Sequence, residues 1–330
     1  DRHSAGGEHS LAEIGGGEEQ ERGHGEAGLG LPLVNAKSTN LIVGGVATGA
    51  QQGQVSAMPF RLHRALISVS GPDAVGFLDN ILTQDLTKLA EAGVLYAALL
   101  SPQGKVLCDM FVWPNEVGVI LETDPSRGGD LMRRLSLYKL RAKVTIDDVT
   151  DQFYALYAPT AFGGDTPDPR FPDYALGWRE ICPSDVPVCL PESDGEYEAQ
   201  RIALGVPDLG RDARPDEVFA LEALLEELNG VTFQKGCFVG QENVSRMKRR
   251  ATTRRKFCPI VFEGAPPAFG TPVMAGAAEL GTVRSGVSGR AVALLRLDRA
   301  VSAAAPLTAD GRPVRLDPPP WLILPQREQG

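Results

Sequence analysis

Residues Gln234 to Arg250 read QKGCFVGQENVSRMKRR, which places Cys237 between two glycines and directly ahead of a basic tail. The second half reads as a helix start. Gly240 stands at the cap, Glu242 lies in the first turn where the helix dipole favours an acid, and Val244 and Met247 recur three apart, with Lys248 and Arg249 following. Cys237 is therefore expected just before a helix N-terminus, with Lys235 nearby and Arg246 within reach if the helix packs back. Such surroundings lower a thiol pKa and make the thiolate a better nucleophile or metal ligand. The bland alternative is a small buried apolar cysteine, the commoner fate of a lone one. The flanking glycines and charges favour the functional role.

Upstream, Asp216 to Asn229 predicts a helix, because Val218, Leu221, Leu225 and Leu228 recur at three and four and Asn229-Gly230 supplies a left-handed stop. That helix would deliver the cysteine segment rigidly. Downstream of Ala251, short apolar runs punctuated by Gly and Pro (257–262, 272–275, 281–285, 291–297, 314–316) predict a small antiparallel barrel.

Nearer the N-terminus, Leu62 to Val69 reads as a strand. Ser70-Gly71-Pro72-Asp73 then starts a helix with a serine cap, whose buried stripe is Val75, Leu78, Ile81 and Leu82. Val94–Leu100 and Lys105–Trp113 read as two strands joined by a turn at Ser101-Pro102-Gln103-Gly104. Alternation in the second strand puts Leu107, Asp109, Phe111 and Trp113 on one face, an unusual setting for an acid. A helix over 130–140 and a strand over 142–146 follow, and the proline-rich stretch 159–191 reads as loop around Trp178-Arg179.

The string Lys235-Gly236-Cys237-Phe238-Val239-Gly240-Gln241-Glu242 closely resembles the K-G-C-Y/F-x-G-Q-E signature of the YgfZ family. These are folate-binding relatives of the glycine-cleavage aminomethyltransferase (T-protein), involved in iron-sulfur cluster assembly or repair and in tRNA modification. FLDNILTQDL from Phe77, LLSPQGKVLCD from Leu99, LYKLRAKVTI from Leu137, DPRFPDYALGWR from Asp168, RIALGVPD from Arg201 and ALLRLDRA from Ala293 resemble the family in the same order. The resemblance covers about Met58 to Pro325. It implies an α+β, T-protein-like folate-binding fold: two interleaved α/β subdomains over 58–250 and a C-terminal antiparallel β-barrel over 251–330.

By that resemblance Cys237 and Asp109 are the candidate working residues. Lys235, Gly236, Gly240, Gln241, Glu242, Arg246, Trp178 and Arg179 are candidates for binding tetrahydrofolate or a related folate. The aminomethyltransferases carry an acidic pair where this chain has Cys108-Asp109, which puts one-carbon transfer in doubt while leaving folate binding open. Asp109 equally suits an edge position where its carboxylate reaches solvent. Trp178 reads somewhat better as a core anchor and Arg179 as a surface charge than as ligand contacts.

Composition narrows the classes. The chain has 330 residues and a formal net charge of −9, and its longest apolar runs are too short to span a membrane. Residues 1–57 carry seven acids against Arg2, Arg22 and Lys37, lack apolar periodicity, and read as a disordered or non-native extension that is dispensable. Acids stand where a secretory leader would carry cations, so cytoplasm is the expected location. The five cysteines (108, 182, 189, 237 and 258) form no C-x-x-C pair, and three of the four histidines lie in the N-terminal extension. A disulfide framework, a structural zinc site or a histidine-based mechanism is not indicated.

From Lys235 to Lys256 eight cations face one acid, Glu242. This makes a positive surface suited to phosphates or polyglutamate, or simply a solvated helix end. No aromatic residues interleave as a platform for bases, so direct nucleic-acid binding ranks third. Two functions lead. One is a folate-binding factor serving iron-sulfur proteins through Cys237, which can share a cluster only with a partner because it supplies one of four ligands. The other is a tetrahydrofolate-dependent one-carbon transferase using Asp109.

Overall fold

The structure is a computed structural model that describes residues 59–160, 166–171, 173, 175–186, 190–251 and 253–325. The expectations for the extension, residues 1–57, lie outside the described residues, as does Cys189.

In chain order the first elements are β1 (Phe60–Leu62), β2 (Ala65–Ser70), α1 (Ala74–Asp79), α2 (Leu89–Ala92), β3 (Leu95–Leu100), β4 (Val106–Asn115), β5 (Gly118–Thr123), α3 (Pro125–Lys139) and β6 (Thr145–Asp148). Next come β7 (Phe153–Ala158), β8 (Trp178–Pro183), α4 (Gly195–Leu204), α5 (Leu209–Asp212) and α6 (Gln241–Arg250). The last part holds β9 (Arg255–Val261), β10 (Pro272–Ala275), β11 (Ala278–Val287), β12 (Arg290–Arg296), α7 (Leu297–Ala300), β13 (Leu307–Ala309) and β14 (Arg312–Leu316).

Three sheets result. β3-β4-β5-β2-β6 form a five-stranded antiparallel sheet, and β1-β7-β8 form a three-stranded one that closes only when the chain returns after β6. β10-β11-β12-β9-β14-β13 close into a barrel. This is the expected α+β architecture with a C-terminal barrel. One face of the five-stranded sheet packs an apolar layer including Val69, Leu99 and Val112 against Leu78, Leu131 and Leu135 of α1 and α3. The other face joins the three-stranded sheet, residues 218–231 and the barrel in one continuous core.

Several local expectations change. The helix expected over 216–229 is instead a run of irregular turns. Leu224 takes a left-handed φ of 62° and Asp216 one of 62°, while Leu225 N and Gly230 N reach back five residues to Ala220 O and Leu225 O. The reason is burial on all sides: Ala220, Ala223 and Leu224 are as enclosed as the predicted stripe of Val218, Leu221, Leu225 and Leu228. Packing from every direction outweighs helix propensity there.

The helix expected from 130 begins at Pro125, capped by Asp124, whose carboxylate accepts from Ser126 N. Gly128 and Gly129 hid its first turns. Gly128 is where α3 lies against β2, since a Cβ there would come 2.8 Å from the Ala65 Cβ. Ser70 does not cap α1. Asp73 holds the cap position, and its carboxylate accepts from Lys143 N at 2.7 Å. In β4 the pairing slips where Leu99 opposes Cys108 and Leu100 opposes Val106. The extra residue, Leu107, therefore turns into the helix-covered core with Cys108, leaving Asp109, Phe111 and Trp113 on the opposite face.

Candidate functional site

The predicted residues fall into two groups. The first is the segment around Cys237. Lys235 extends its ammonium into the loop after α1 and donates to Asp79 O, to Asp79 Oδ1 at 2.9 Å, to Leu82 O at 3.1 Å and to Gln84 O at 2.8 Å. Its side chain is only 2% exposed. Lys235 is thus an anchor, and its charge is spent on Asp79 and three carbonyls rather than held out to a ligand. Phe238 is buried in the core.

Gly240, with φ +82°, caps α6 against the β3–β4 turn, where a Cβ would stand 2.6 Å from Ser101 O. That turn is closed by Gly104 N donating to Ser101 O at 2.8 Å. Between these fixed points Gly236 and Cys237 are exposed. A Cβ on Gly236 would meet nothing within 4 Å, so no neighbouring atom of the fold requires glycine there.

Beyond the cysteine, Gln241 is half-buried and Glu242 exposed in the first turn of α6. Arg246 does not pack back toward the thiol. It is exposed and donates to Oδ1 of the Asn243 side chain, one turn before it.

The second group is a buried charge network facing the same core. Asp109 is half-buried and accepts from Tyr96 OH at 2.9 Å. Around it, Arg64 pairs with Asp208 at 3.2 Å and with Glu122 at 3.6 Å. Arg170 holds Asp168 in two bonds of 2.8 and 2.7 Å and reaches Tyr197 OH at 3.0 Å. Arg179 donates to Glu122 and lies 4.0 Å from the Phe111 ring centre, while Trp113 Nε1 donates to the other Glu122 oxygen at 3.1 Å.

Burial and the Asp208 carboxylate push the Asp109 pKa up to about 6, against the Tyr96 bond and the charges of Arg64 and Arg170. Burial acts the same way on Asp168, yet Arg170 and Arg179 hold its carboxyl below the usual range. Cys108, one residue from Asp109, is a buried thiol whose Sγ lies 3.0 Å from Thr123 Oγ1, and desolvation raises its pKa strongly. It is an uncharged core residue and no substitute for a second acid.

The expected roles of Trp178 and Arg179 are reversed. Arg179 is 2% exposed and lies at the centre of the network, whereas Trp178 is half-buried on the other face of β8. Sequence reasoning missed Arg64, Glu122, Asp168, Arg170 and Asp208. Only the closely spaced Asp168 and Arg170 gave a local signal, since Arg64 and Asp208 are 144 positions apart. Among the described residues, no hydrogen bond, ion pair or ring contact links this network to Cys237.

The hollow beside Asp109 has a volume of about 10 Å³, room for about one water molecule. Sites for cofactor-sized ligands run to several hundred Å³. The tetrahydrofolate implied by the family resemblance does not fit there with Arg64 and Arg170 in place. No group of three or more metal-ligating side chains occurs among the described residues.

Comparison with known proteins places this geometry. Residues 254–323 match the family model of the CAF17 C-terminal beta-barrel domain. The human iron-sulfur cluster assembly factor IBA57, mitochondrial, is 32% identical over 72% of this chain and 76% of its own length. The chain belongs to the IBA57 family.

Its IBA57 homologue from Neurospora crassa is 29% identical over 62% of this chain, and that from Pyricularia oryzae 32% identical over 60%. The chain spans only 54% and 56% of the lengths of those two fungal proteins. The solved glycine cleavage system aminomethyltransferase T from Bartonella henselae superposes with a TM-score of 0.62, covering 82% of this chain and 88% of that one. At 15% identity it establishes the shared fold alone. The cytoplasmic expectation is corrected, because the curated IBA57 relatives are mitochondrial proteins. An acidic N-terminal composition does not distinguish the cytoplasm from an organelle. Among the described residues no helix is long and apolar enough to cross a membrane.

Proposed function

We propose that this IBA57-family protein assists assembly or repair of iron-sulfur enzymes by lending the Cys237 thiolate to a cluster held jointly with a partner protein. The cluster is cargo. The observation that carries the reading is the mounting of Cys237: an exposed thiol beside an uncrowded glycine, fixed by the Lys235 anchor on one side and the Gly240 cap on the other. A ligand shared across an interface must be accessible yet held in position, because loose positioning costs affinity.

A [2Fe-2S] cluster needs four protein ligands. The other described cysteines do not join Cys237: Cys108 and Cys258 are buried, in β4 and β9, and Cys182 lies on β8. A partner therefore supplies the remaining ligands, and the thiol proton is released as the sulfur binds iron. Asp109 has no part in this reading, and folate is not required for it.

The test is complementation of a strain deficient in iron-sulfur enzyme activity. Wild type should restore activity and Cys237→Ser should not. A serine variant that restores activity as well as wild type makes the thiol structural and removes this function.

A further inference from the structure

A groove of about 520 Å³ runs along one face of α6 where it meets the start of the barrel. Arg246 and Arg250 line it from α6, Arg254 and Arg255 from the lead into β9, and Arg296 from the end of β12. Glu222 is the acid in its wall, and Arg255 already binds both Glu222 oxygens, at 3.2 and 3.0 Å. Arg296 is likewise matched by Asp298, outside the wall, at 3.1 and 2.8 Å. Among the described residues the guanidinium groups of Arg246, Arg250, Arg255 and Arg296 outnumber the carboxylates of Glu222 and Asp298, which leaves local positive charge in a chain whose net charge is −9. Among the described residues, Arg246 hydrogen-bonds a neutral side-chain amide, that of Asn243.

We infer that this groove receives an acidic peptide segment of the partner protein that approaches Cys237. The inference rests on the shared-cluster reading for its partner and on the groove for its chemistry. Phe219 and Met247 lie among the arginines, so apolar surface separates the charges, as the carbon stems and backbone of a Glu- or Asp-rich segment require. Guanidinium forks match carboxylates in two parallel bonds. A phosphate site instead gathers backbone N–H groups at one point, whereas these donors are side chains spread along the helix and across to the barrel.

Position agrees with chemistry. α6 starts at Gln241, four residues after Cys237, and extends about 15 Å. A partner that covers the cysteine with an ordinary interface of roughly 800 Å² per side reaches over this helix.

The experiment uses the intact protein and a fluorescein-labelled peptide of alternating Glu and Ala, followed by anisotropy at low salt. Its Gln-for-Glu counterpart, tripolyphosphate and a single-stranded RNA oligonucleotide serve as competitors. The Glu peptide should bind and the Gln peptide should not, and the double variant Arg246→Glu, Arg250→Glu should bind about tenfold more weakly or worse. Thermal melting checks that the variant folds, and Arg250→Gln stands in if it does not. Equal binding of the two peptides, or no effect of either variant, overturns the inference. Tighter binding of tripolyphosphate or RNA than of the Glu peptide overturns the assignment to a peptide.

Cys237→Ser separates the two readings. It should bind the peptide as wild type does while failing in complementation. Complementing activity in that variant with peptide binding intact removes the cluster reading alone. Peptide binding absent from wild type while Cys237 stays essential removes the groove alone.

Discussion

Gly104 and Gly240 meet back to back across 136 positions of sequence: a Cβ on Gly240 would lie 3.0 Å from the Gly104 Cα, and one on Gly104 would lie 3.3 Å from the Gly240 carbonyl oxygen. Both have φ +82°, so each is required twice, for its backbone and for the approach. The β3–β4 turn is thus a seat for the cysteine segment. Gly240→Ala should destabilise the fold by roughly 2–4 kcal/mol, from left-handed strain plus the clash with Ser101 O. Gly236→Ala, with open space around it, should leave the melting temperature unchanged. Equal melting of the two variants removes the seat from the account.

Lys235 should behave as a structural residue. Replacing it with methionine strands Asp79 and the carbonyls of Leu82 and Gln84, and should cost about 2–4 kcal/mol in denaturant unfolding. A variant with full stability but impaired complementation would show instead that the ammonium serves the cluster directly.

The sequence shows the signature, the turn it sits on and the barrel, because each is a local pattern: Gly-x-x-x-Gly spacing about Cys237, Pro and Gly in 101–104, short apolar runs after 254. It does not show what three-dimensional packing decides. Leu224 lies in a sequence that reads as helix, but enclosure on every side bends the chain into left-handed geometry there. Arg179 meets Glu122 from 57 positions away, and nothing beside an arginine in a loop-rich stretch says that its partner is a buried glutamate on a central strand. The same blindness hid the closure of the hollow beside Asp109.

Asp109 sets a measurable pH dependence. Its pKa in the fold, about 6, exceeds the ordinary aspartate value of 3.8, so the native state binds this proton more tightly than the unfolded chain does. The contribution to stability is full below about pH 4 and is lost as pH rises through about 6. Asp109→Asn cannot ionise and escapes the loss. Its stability relative to wild type should therefore rise between pH 4 and pH 7, by about 1–3 kcal/mol. A difference that stays flat across that window, followed by urea unfolding, means that Asp109 is not held in the protonated-favouring site described.

The last expectation concerns folate. To admit a pteridine beside Asp109, Arg170 must leave Asp168 or Arg64 must leave Asp208, and either move strands a buried charge at a cost of about 3–5 kcal/mol. Binding energy spent on that opening lowers the apparent affinity in proportion. Tetrahydrofolate at millimolar concentration should therefore give neither heat in calorimetry nor a thermal shift. A ligand present at a hundred times its dissociation constant would stabilise the fold by about 2.7 kcal/mol, which a melting curve resolves readily. A saturable shift that is abolished in Asp109→Ala would show that the arginines open and that the folate site of the fold is retained. A shift that survives that substitution would place the ligand elsewhere, and the arginine groove along α6 could then be tested with Arg250→Gln.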